Sequence, residues 1–232
     1  MKNSIRKKWF KVIKGFLRIF IKKTKFVYLG QQIEGPSIIL SNHSAASGPL
    51  GYELYFPKTF RFWGTHEMNE GLISTYKYLT NTYYHKKKHW NIHLAKLFCI
   101  IAAPLCNLFY KGLNLISTYQ DTRFRRTLRD SLKTLIDGHN LIIFPEASEN
   151  GYFKELTLFH EGFVVFLEYC KKHHLNLPVY VAYFRSDDKM CILDHPVMMN
   201  ELLGLGLTRQ ELANKLKERC NELGSKLLED LK

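Results

Sequence analysis

The chain has 232 residues, of which 46% are hydrophobic, with 14 glycines and 7 prolines. It is long enough for one domain with its own core, and no Pro-, Gly- or Ser-rich stretch marks a linker. These values exclude a disordered chain, and the sequence contains neither an internal repeat nor a low-complexity tract. The formal net charge of +13 favours a polyanionic partner, which leaves nucleic acid, an anionic membrane and a negatively charged substrate open.

The cysteines and the N-terminus indicate a cytoplasmic protein. Five widely spaced cysteines are typical of reduced thiols rather than of a disulfide framework. The basic start lacks the uninterrupted apolar region of a signal peptide. The longest apolar run, about 97–110, is interrupted by Pro104 and Asn107 and is shorter than the ~20 residues that span a bilayer, so we expect no transmembrane helix.

Residues 1–24 are predicted to form a basic amphipathic helix, because apolar side chains recur at helical spacing and cations line the opposite side. Such a helix suits the headgroup region of a membrane, where its rings are buried and its charges meet anionic lipid. We therefore predict a peripheral or monotopic protein on the cytoplasmic face, with membrane lipid as a partner. The alternative is a helix packed on the domain's own core. The apolar side of the predicted helix carries Trp9, Ile13, Phe16, Leu17 and Phe20, and its basic side carries Lys7, Lys11, Lys14, Arg18 and Lys22.

In residues 25–232 strand patterns alternate with helix patterns. This order predicts one α/β domain with a mainly parallel central sheet and helices on both faces. A short apolar–polar alternation covers 26–29, and strands are predicted at 38–40, 59–63, 141–144, 178–184 and 190–193. Helices are predicted at 124–135, after a cap at Asp121 or Thr122, at 161–173 and at 208–231.

Two polar segments directly follow predicted buried strands: SNHSAASG at 41–48 and IIFPEASENG at 142–151. In parallel sheets, functional groups gather where strands end and helices begin. A histidine in such a position can act as a general base near neutral pH. His43 is the candidate base, and the alternative for a single histidine is a structural, hydrogen-bonded role.

Four motifs occur in a set order: Asn42-His43, FRFWGTHEM at 60–68, FPEASENG with LTLFHEGF up to residue 163, and LPVYVAYF at 177–184. Their order resembles the glycerophospholipid acyltransferase family of the lysophosphatidate acyltransferase (PlsC-like) type. That family carries NHxxxxD, a basic strand motif, FPEGTRS and a late strand with proline before valine. The resemblance covers about residues 26–200.

The resemblance implies transfer of a fatty acyl group from a thioester, acyl-CoA or an acyl carrier protein, to a hydroxyl of a lysolipid. His43 would be the base, and Asn42 would fix the loop that presents it. Glu146 would hold the acceptor, while Phe144 and Pro145 shape the turn. The alternative for Glu146 is a carboxylate placed near a helix start for its dipole. The rival function is a non-catalytic homologue that binds lipid or an acyl carrier.

The sequence departs from the family pattern at two positions. Gly48 stands where the family has the aspartate that would orient the imidazole. Glu149 stands where the family has an arginine that binds the acceptor phosphate, so other groups must take that role. Candidates are Ser148, Lys154 and Arg123. Arg123 begins a run of arginines that is alternatively the solvated face of a helix.

Residues 69–93 appear as an insertion relative to the family, rich in aromatic and basic residues. No RNA- or DNA-binding signature accompanies it, so we expect no nucleic-acid partner. His85, His89 and His93 recur at every fourth residue and are predicted to share a helical face; without a supporting carboxylate they predict no metal site. No cofactor is expected beyond the acyl thioester co-substrate. The sequence leaves the oligomeric state open.

Overall fold

In this computed structural model, which describes residues 5–147 and 151–226, eight strands form a single sheet. The strands are β1 (Lys25–Tyr28), β2 (Ile38–Ser41), β3 (Phe60–Thr65), β4 (Ile116–Thr118), β5 (Asn140–Ile143), β6 (Pro178–Arg185), β7 (Met190–Leu193) and β8 (Val197–Met198). Their order is β1-β7-β6-β2-β5-β3-β4, with β8 also paired to β6.

The sheet is parallel at every pairing except those of β6 with β7 and with β8. The predicted α/β class with a mainly parallel sheet is therefore confirmed. β2 lies between β5 and β6, and all four of its residues are buried. Burial on both faces explains its uninterrupted apolar run, since neither side of the strand meets water.

Helices cover both faces of the sheet. Leu40 of β2 belongs to a core shared with Leu128, Phe163 and Leu216, whereas its neighbour Ile39 belongs to a second core on the other face. The predicted helices at 124–135 and 161–173 are found at Phe124–Ile136 and Gly162–Lys172. The helix predicted at 208–231 is found at Arg209–Ser225, and residues 227–231 lie outside the described part of the chain. The helices are α1 (Lys8–Phe20), α2 (Ser47–Tyr55), α3 (Leu72–Lys77), a π-helix (Tyr78–Lys87), α4 (Ile92–Leu113), α5 (Phe124–Ile136), α6 (Gly162–Lys172), α7 (Met199–Leu203) and α8 (Arg209–Ser225).

α1 packs on the domain partly through its basic side. The carboxylate of Glu53 in α2 is buried, and it binds Arg6 at 2.7 Å and Lys14 at 2.9 Å. Arg18 donates hydrogen bonds to the carbonyl of Leu54. Because an unpaired buried carboxylate would be strongly destabilising, these cations are required by the fold itself.

Phe10 is the apolar residue that joins α1 to the core. It is fully buried and makes an edge contact with the ring of Phe109, with 5.3 Å between ring centroids. The ring fills the space above Gly112, where a Cβ atom would overlap it. α1 therefore forms part of the packed domain, as the alternative interpretation of this helix proposed, while other apolar side chains of α1 remain outside.

Residues 72–113 form a helical hairpin between β3 and β4. α3 and the π-helix pack along α4, and the chain reverses between residues 88 and 91. His85 and His93 consequently lie in different helices, so the prediction that His85, His89 and His93 share one helical face is wrong. The backbone turns instead, and the imidazole of His85 bonds to the carbonyl of Trp90 at 2.9 Å.

α4 is longer than the apolar run in the sequence indicated. It has 22 residues with Pro104 inside, and by length and composition alone it is apolar enough to cross a membrane. Asn107 does not interrupt it, because its side chain is buried and donates a hydrogen bond to Thr75 of α3 at 3.1 Å. The estimate that this segment is too short to span a bilayer is therefore wrong.

Substitution of the buried phenylalanine of α1 is expected to destabilise the whole domain. Phe10→Ala should lower the free energy of unfolding by ~3–5 kcal/mol, because it leaves a cavity beside Gly112. Phe16→Ala, on the same helix but 61% exposed, should change it by less than ~0.5 kcal/mol. Urea denaturation followed by circular dichroism measures both values, and equal effects would contradict the packing of α1 described above.

Candidate active site around His43

Asn42 and His43 lie at the carboxyl end of β2. The Asn42 side chain is buried and makes two hydrogen bonds to the backbone of Phe184 on β6: its amide donates to the carbonyl at 3.1 Å, and its oxygen accepts from the amide at 2.6 Å. This paired contact fixes the end of β2 against β6. It therefore holds the start of the loop that carries His43.

The loop after His43 is tightly wound. Ser44 and Ala45 both have positive φ angles, 46° and 53°, which is a strained conformation for residues with a side chain. α2 then starts at Ser47, and a Cβ atom at Gly48 would overlap the carbonyl oxygen of His43. The position of the family's aspartate thus has no room for any side chain in this backbone conformation.

Ser47 and Glu53, which follow His43 by four and ten residues, do not replace that aspartate. The hydroxyl of Ser47 lies 3.4 Å from the ammonium of Lys189, and Glu53 is held by Arg6 and Lys14. The Nδ1 atom of His43 is buried and has no hydrogen-bond partner among the described residues. Within the described part of the chain, two neighbouring rings and a backbone hydrogen bond at Ala45, rather than a carboxylate on Nδ1, hold the imidazole.

Glu146 follows β5 and reaches the His43 loop. Its carboxylate accepts a hydrogen bond from the backbone amide of His43 at 2.8 Å. Burial raises the pKa of Glu146, and the hydrogen bonds from the amides of His43 and Phe153 oppose that rise. Backbone bonds on both sides, from Ala147 to Leu158 and from His160 to Pro145, hold the turn that presents it.

Two aromatic rings enclose the imidazole of His43. Phe144 meets it edge-on, with 5.0 Å between ring centroids, and Tyr152 stacks on it at 4.8 Å and 19°. Burial lowers the pKa of His43 to about 4; the positive charge of Lys87 acts in the same direction, and the backbone of Ala45 opposes it. The imidazole is therefore neutral at pH 7 and able to accept a proton.

Tyr152 also connects this site to the hairpin. The ammonium of Lys87, the last residue of the π-helix, lies 6.0 Å from the centroid of the Tyr152 ring. This is within the range of a cation–π contact. Lys87 at the tip of the hairpin and His43 thus both contact the ring of Tyr152.

The predicted phosphate-binding cations are paired with carboxylates. Arg123 is exposed, binds Asp121 at 2.8 Å and stacks over the ring of Tyr119. It follows β4, on the same sheet edge as His43 but three strands away, which is about 14 Å at the usual strand spacing. Lys154 is exposed and binds Asp187 at 2.8 Å. Ser148 and Glu149 lie outside the described residues.

Three further groups at this edge were not predicted. Tyr152 and Lys87 lie in segments without a periodic pattern, so the sequence carried no signal for their contact. His66 did have one, because it directly follows β3 just as His43 follows β2. Its Nδ1 lies 3.2 Å from the carboxylate of Glu67, and its ring faces Tyr119 at 4.9 Å. A histidine–carboxylate pair therefore exists on this edge, two strands from His43.

In residues 5–147 and 151–226 no group of three or more His, Cys, Asp or Glu side chains is arranged to hold a metal ion. The five cysteines are free thiols, four of them buried. Burial raises the pKa of Cys191 to about 12 and keeps this thiol protonated.

Comparison with known proteins supports the architecture. No protein-family model matches the chain, and no curated protein matches it in sequence. Among solved structures, the 1-acyl-sn-glycerophosphate (LPA) acyltransferase PlsC from Thermotoga maritima is similar, with 16% identity over 94% of this chain and 80% of that one and a TM-score of 0.50. The chain has a PlsC-like fold. The fold expected from the motif order is thus confirmed, and at this identity the likeness concerns the fold alone.

Removal of the Tyr152 ring is expected to raise the pKa of His43. In Tyr152→Ala, water reaches the imidazole, so the pKa should move from about 4 towards the 6.5 of an exposed histidine. The measurement is an NMR titration of labelled histidines, in which the His43 signal is identified by its absence from His43→Ala. Phe153→Ala removes a neighbouring exposed ring and should leave the pKa unchanged. An unshifted pKa in Tyr152→Ala would show that this ring does not exclude water.

Proposed function

We propose that this protein transfers a fatty acyl group from an acyl thioester to a hydroxyl of a lysophospholipid or related glycerolipid at a membrane surface. The contact between Glu146 and the backbone of His43 is the main support, because it joins two motif segments separated by 103 positions into one site. The PlsC-like fold supports the same reaction class. Acyl-CoA and an acyl carrier protein are the candidate donors.

His43 is the proposed general base. As the acceptor hydroxyl attacks the thioester carbonyl carbon, its proton passes to the imidazole and a new C–O bond forms. The tetrahedral oxyanion then collapses, the C–S bond breaks, and the imidazolium returns the proton to the departing thiolate. The products are an ester and a free thiol, and no other cofactor enters the balance.

The remaining predicted residues have supporting roles in this scheme. Asn42 and Glu146 hold the start of the histidine loop, and Phe144, which shapes the turn together with Pro145, packs against the imidazole. Glu146 is further proposed to hold the acceptor through hydrogen bonds.

Acceptor binding is also proposed to involve Ser148, Arg123 and Lys154. A phosphate ester would compete with Asp121 for Arg123 and with Asp187 for Lys154. Both cations are exposed, so each of these ion pairs is weak and the exchange costs little. The proposal therefore allows an anionic headgroup without requiring the arginine of the family motif.

A second function, a non-catalytic lipid- or acyl-carrier-binding protein, is favoured by the state of the imidazole. Among the described residues no carboxylate meets its Nδ1 atom, Gly48 leaves no room for one, and a histidine with a pKa of about 4 is a weak base. The two functions differ in whether thiol is released from an acyl thioester when an acceptor is present.

His43→Ala is expected to reduce acyl transfer by ~100-fold or more, the usual range for loss of a general base. The assay measures thiol release from acyl-CoA and from acyl carrier protein with a panel of lysolipids. His93→Ala removes an exposed imidazole in the hairpin and should retain activity. Transfer that persists in His43→Ala would remove His43 from this role, and the absence of transfer by the wild type with every acceptor would favour the binding protein.

The pH dependence of kcat/KM gives a separate check. A depressed pKa means that His43 stays neutral and active as pH falls from 8 to about 5, and that activity is lost as pH falls through about 4. An exposed histidine base would instead lose activity below about pH 6.5. An acid limb near 6.5 in the wild type would contradict the buried state of the imidazole, provided that circular dichroism shows the protein folded throughout the range.

A further inference from the structure

In the hairpin of residues 72–113, α4 buries small apolar side chains and exposes large ones. An amphipathic helix at the surface of a water-soluble protein does the reverse. Ala95, Cys99 and Ala103 of α4 are fully buried against the partner helices. Seven large apolar side chains of α4 between Leu94 and Leu108 point outward and are 45–72% exposed, whereas Phe109 and Leu113 near its end pack inward. This outer face consists of Leu94, Leu97, Phe98, Ile100, Ile101, Leu105 and Leu108.

A patch of this kind requires a partner. Isolated exposed apolar residues are ordinary, but a contiguous row along a 22-residue helix marks an interaction surface. The inward small residues pack α4 against the π-helix, and of the outer-face side chains Phe98 also contacts a ring of the π-helix, that of Tyr84. The outer face of α4 is therefore available to a partner without any rearrangement of the hairpin.

α1 shows the same reversal beside the C-terminal end of α4. Lys14 of α1 and Arg6 just before it turn inward to Glu53, while Val12, Phe16, Ile19 and Phe20 point outward and are 61–75% exposed. The two helices are in contact through Phe10, which lies against Phe109 and Gly112 at the end of α4. The outer faces thus belong to neighbouring, directly packed helices.

The tip of the hairpin has the chemistry of a lipid headgroup region. Tyr84, Trp90 and Phe98 form one cluster, with ring centroids 4.7–5.5 Å apart. Lysines 86–88 lie between Tyr84 and Trp90 in the sequence and give the tip a strong positive charge. Amphipathic rings at the interface and lysines beside anionic headgroups are both favourable there, whereas a protein partner would not require the two together.

We propose that the outer faces of α4 and α1 together form a monotopic docking surface for an anionic bilayer, in which α4 lies in the plane of the membrane. A spanning α4 would have to carry the π-helix and α3 with it, and these contain Lys77 and Asn81. Such polar groups are costly within the hydrocarbon. An in-plane helix buries the outer face and leaves the π-helix on the domain side.

The docking surface also bears on how the acceptor reaches the site, an inference that rests on the proposed function. Lys87 at the tip contacts Tyr152, which stacks on His43, so a docked tip places the entrance of the site beside the headgroups. A lysolipid acceptor could then reach His43 without leaving the bilayer.

The test is co-sedimentation with vesicles of phosphatidylglycerol and phosphatidylcholine. Leu97→Glu/Ile101→Glu places two charges on the outer face of α4 and should weaken binding at least tenfold. Ile136→Glu/Leu205→Glu introduces the same charges at two exposed apolar positions on α5 and after α7, and should bind like the wild type. Both variants change exposed side chains, and circular dichroism with thermal melting verifies that they fold.

Wild-type binding by the α4 variant would overturn the proposal. So would an α4 variant that dissociates a wild-type dimer without losing vesicle binding, because the face would then be a contact between two copies of the chain. A second assay tests the proposed reaction without a membrane. It measures thiol release from a short-chain, water-soluble acyl thioester in the presence of a water-soluble acceptor. If that reaction fails while vesicle binding depends on α4, the docking surface stands and the acyltransferase proposal falls.

Discussion

The hydrogen bond from the backbone amide of His43 to the carboxylate of Glu146 joins the ends of β2 and β5, and the rest of the site is arranged around it. Together with the bonds between Asn42 and the backbone of Phe184, it connects three adjacent strands of the sheet at one edge. A charged acceptor in a buried position makes a stronger hydrogen bond than a neutral one. This bond can therefore hold a loop whose next two residues have left-handed backbone angles.

The position of this site could be predicted from sequence because it depends on strand ends. Buried strands are recognisable as apolar runs, and the carboxyl ends of parallel strands meet at one edge, so polar residues after β2 and β5 were expected on that edge. That these two strands are neighbours is seen only in the structure. The same reasoning applies to His66 after β3. Residues that reach the edge from elsewhere, such as Tyr152 and Lys87, could not be found in this way.

How the helices pack on the domain could not be predicted from the sequence. A period of 3.6 shows which residues share a side of α1, but it does not show which side meets the protein. Glu53 decides that question here, because a buried carboxylate on α2 draws Arg6 and Lys14 inward. In the hairpin, the spacing of the histidines was compatible with a continuous helix, and only the reversal of the chain at residues 88–91 separates them.

α2 connects the loop that carries His43 to helix α1. It begins in the loop that carries His43, and Glu53 and Leu54, which meet α1, lie in its last turn, six and seven residues after its first residue, a length of about 10 Å. Gly48 is packed so closely at its beginning that the helix cannot shift without moving the carbonyl of His43. α2 therefore couples α1 to the histidine loop. A tilt of α1 relative to the sheet would move α2 and, with it, the backbone of His43.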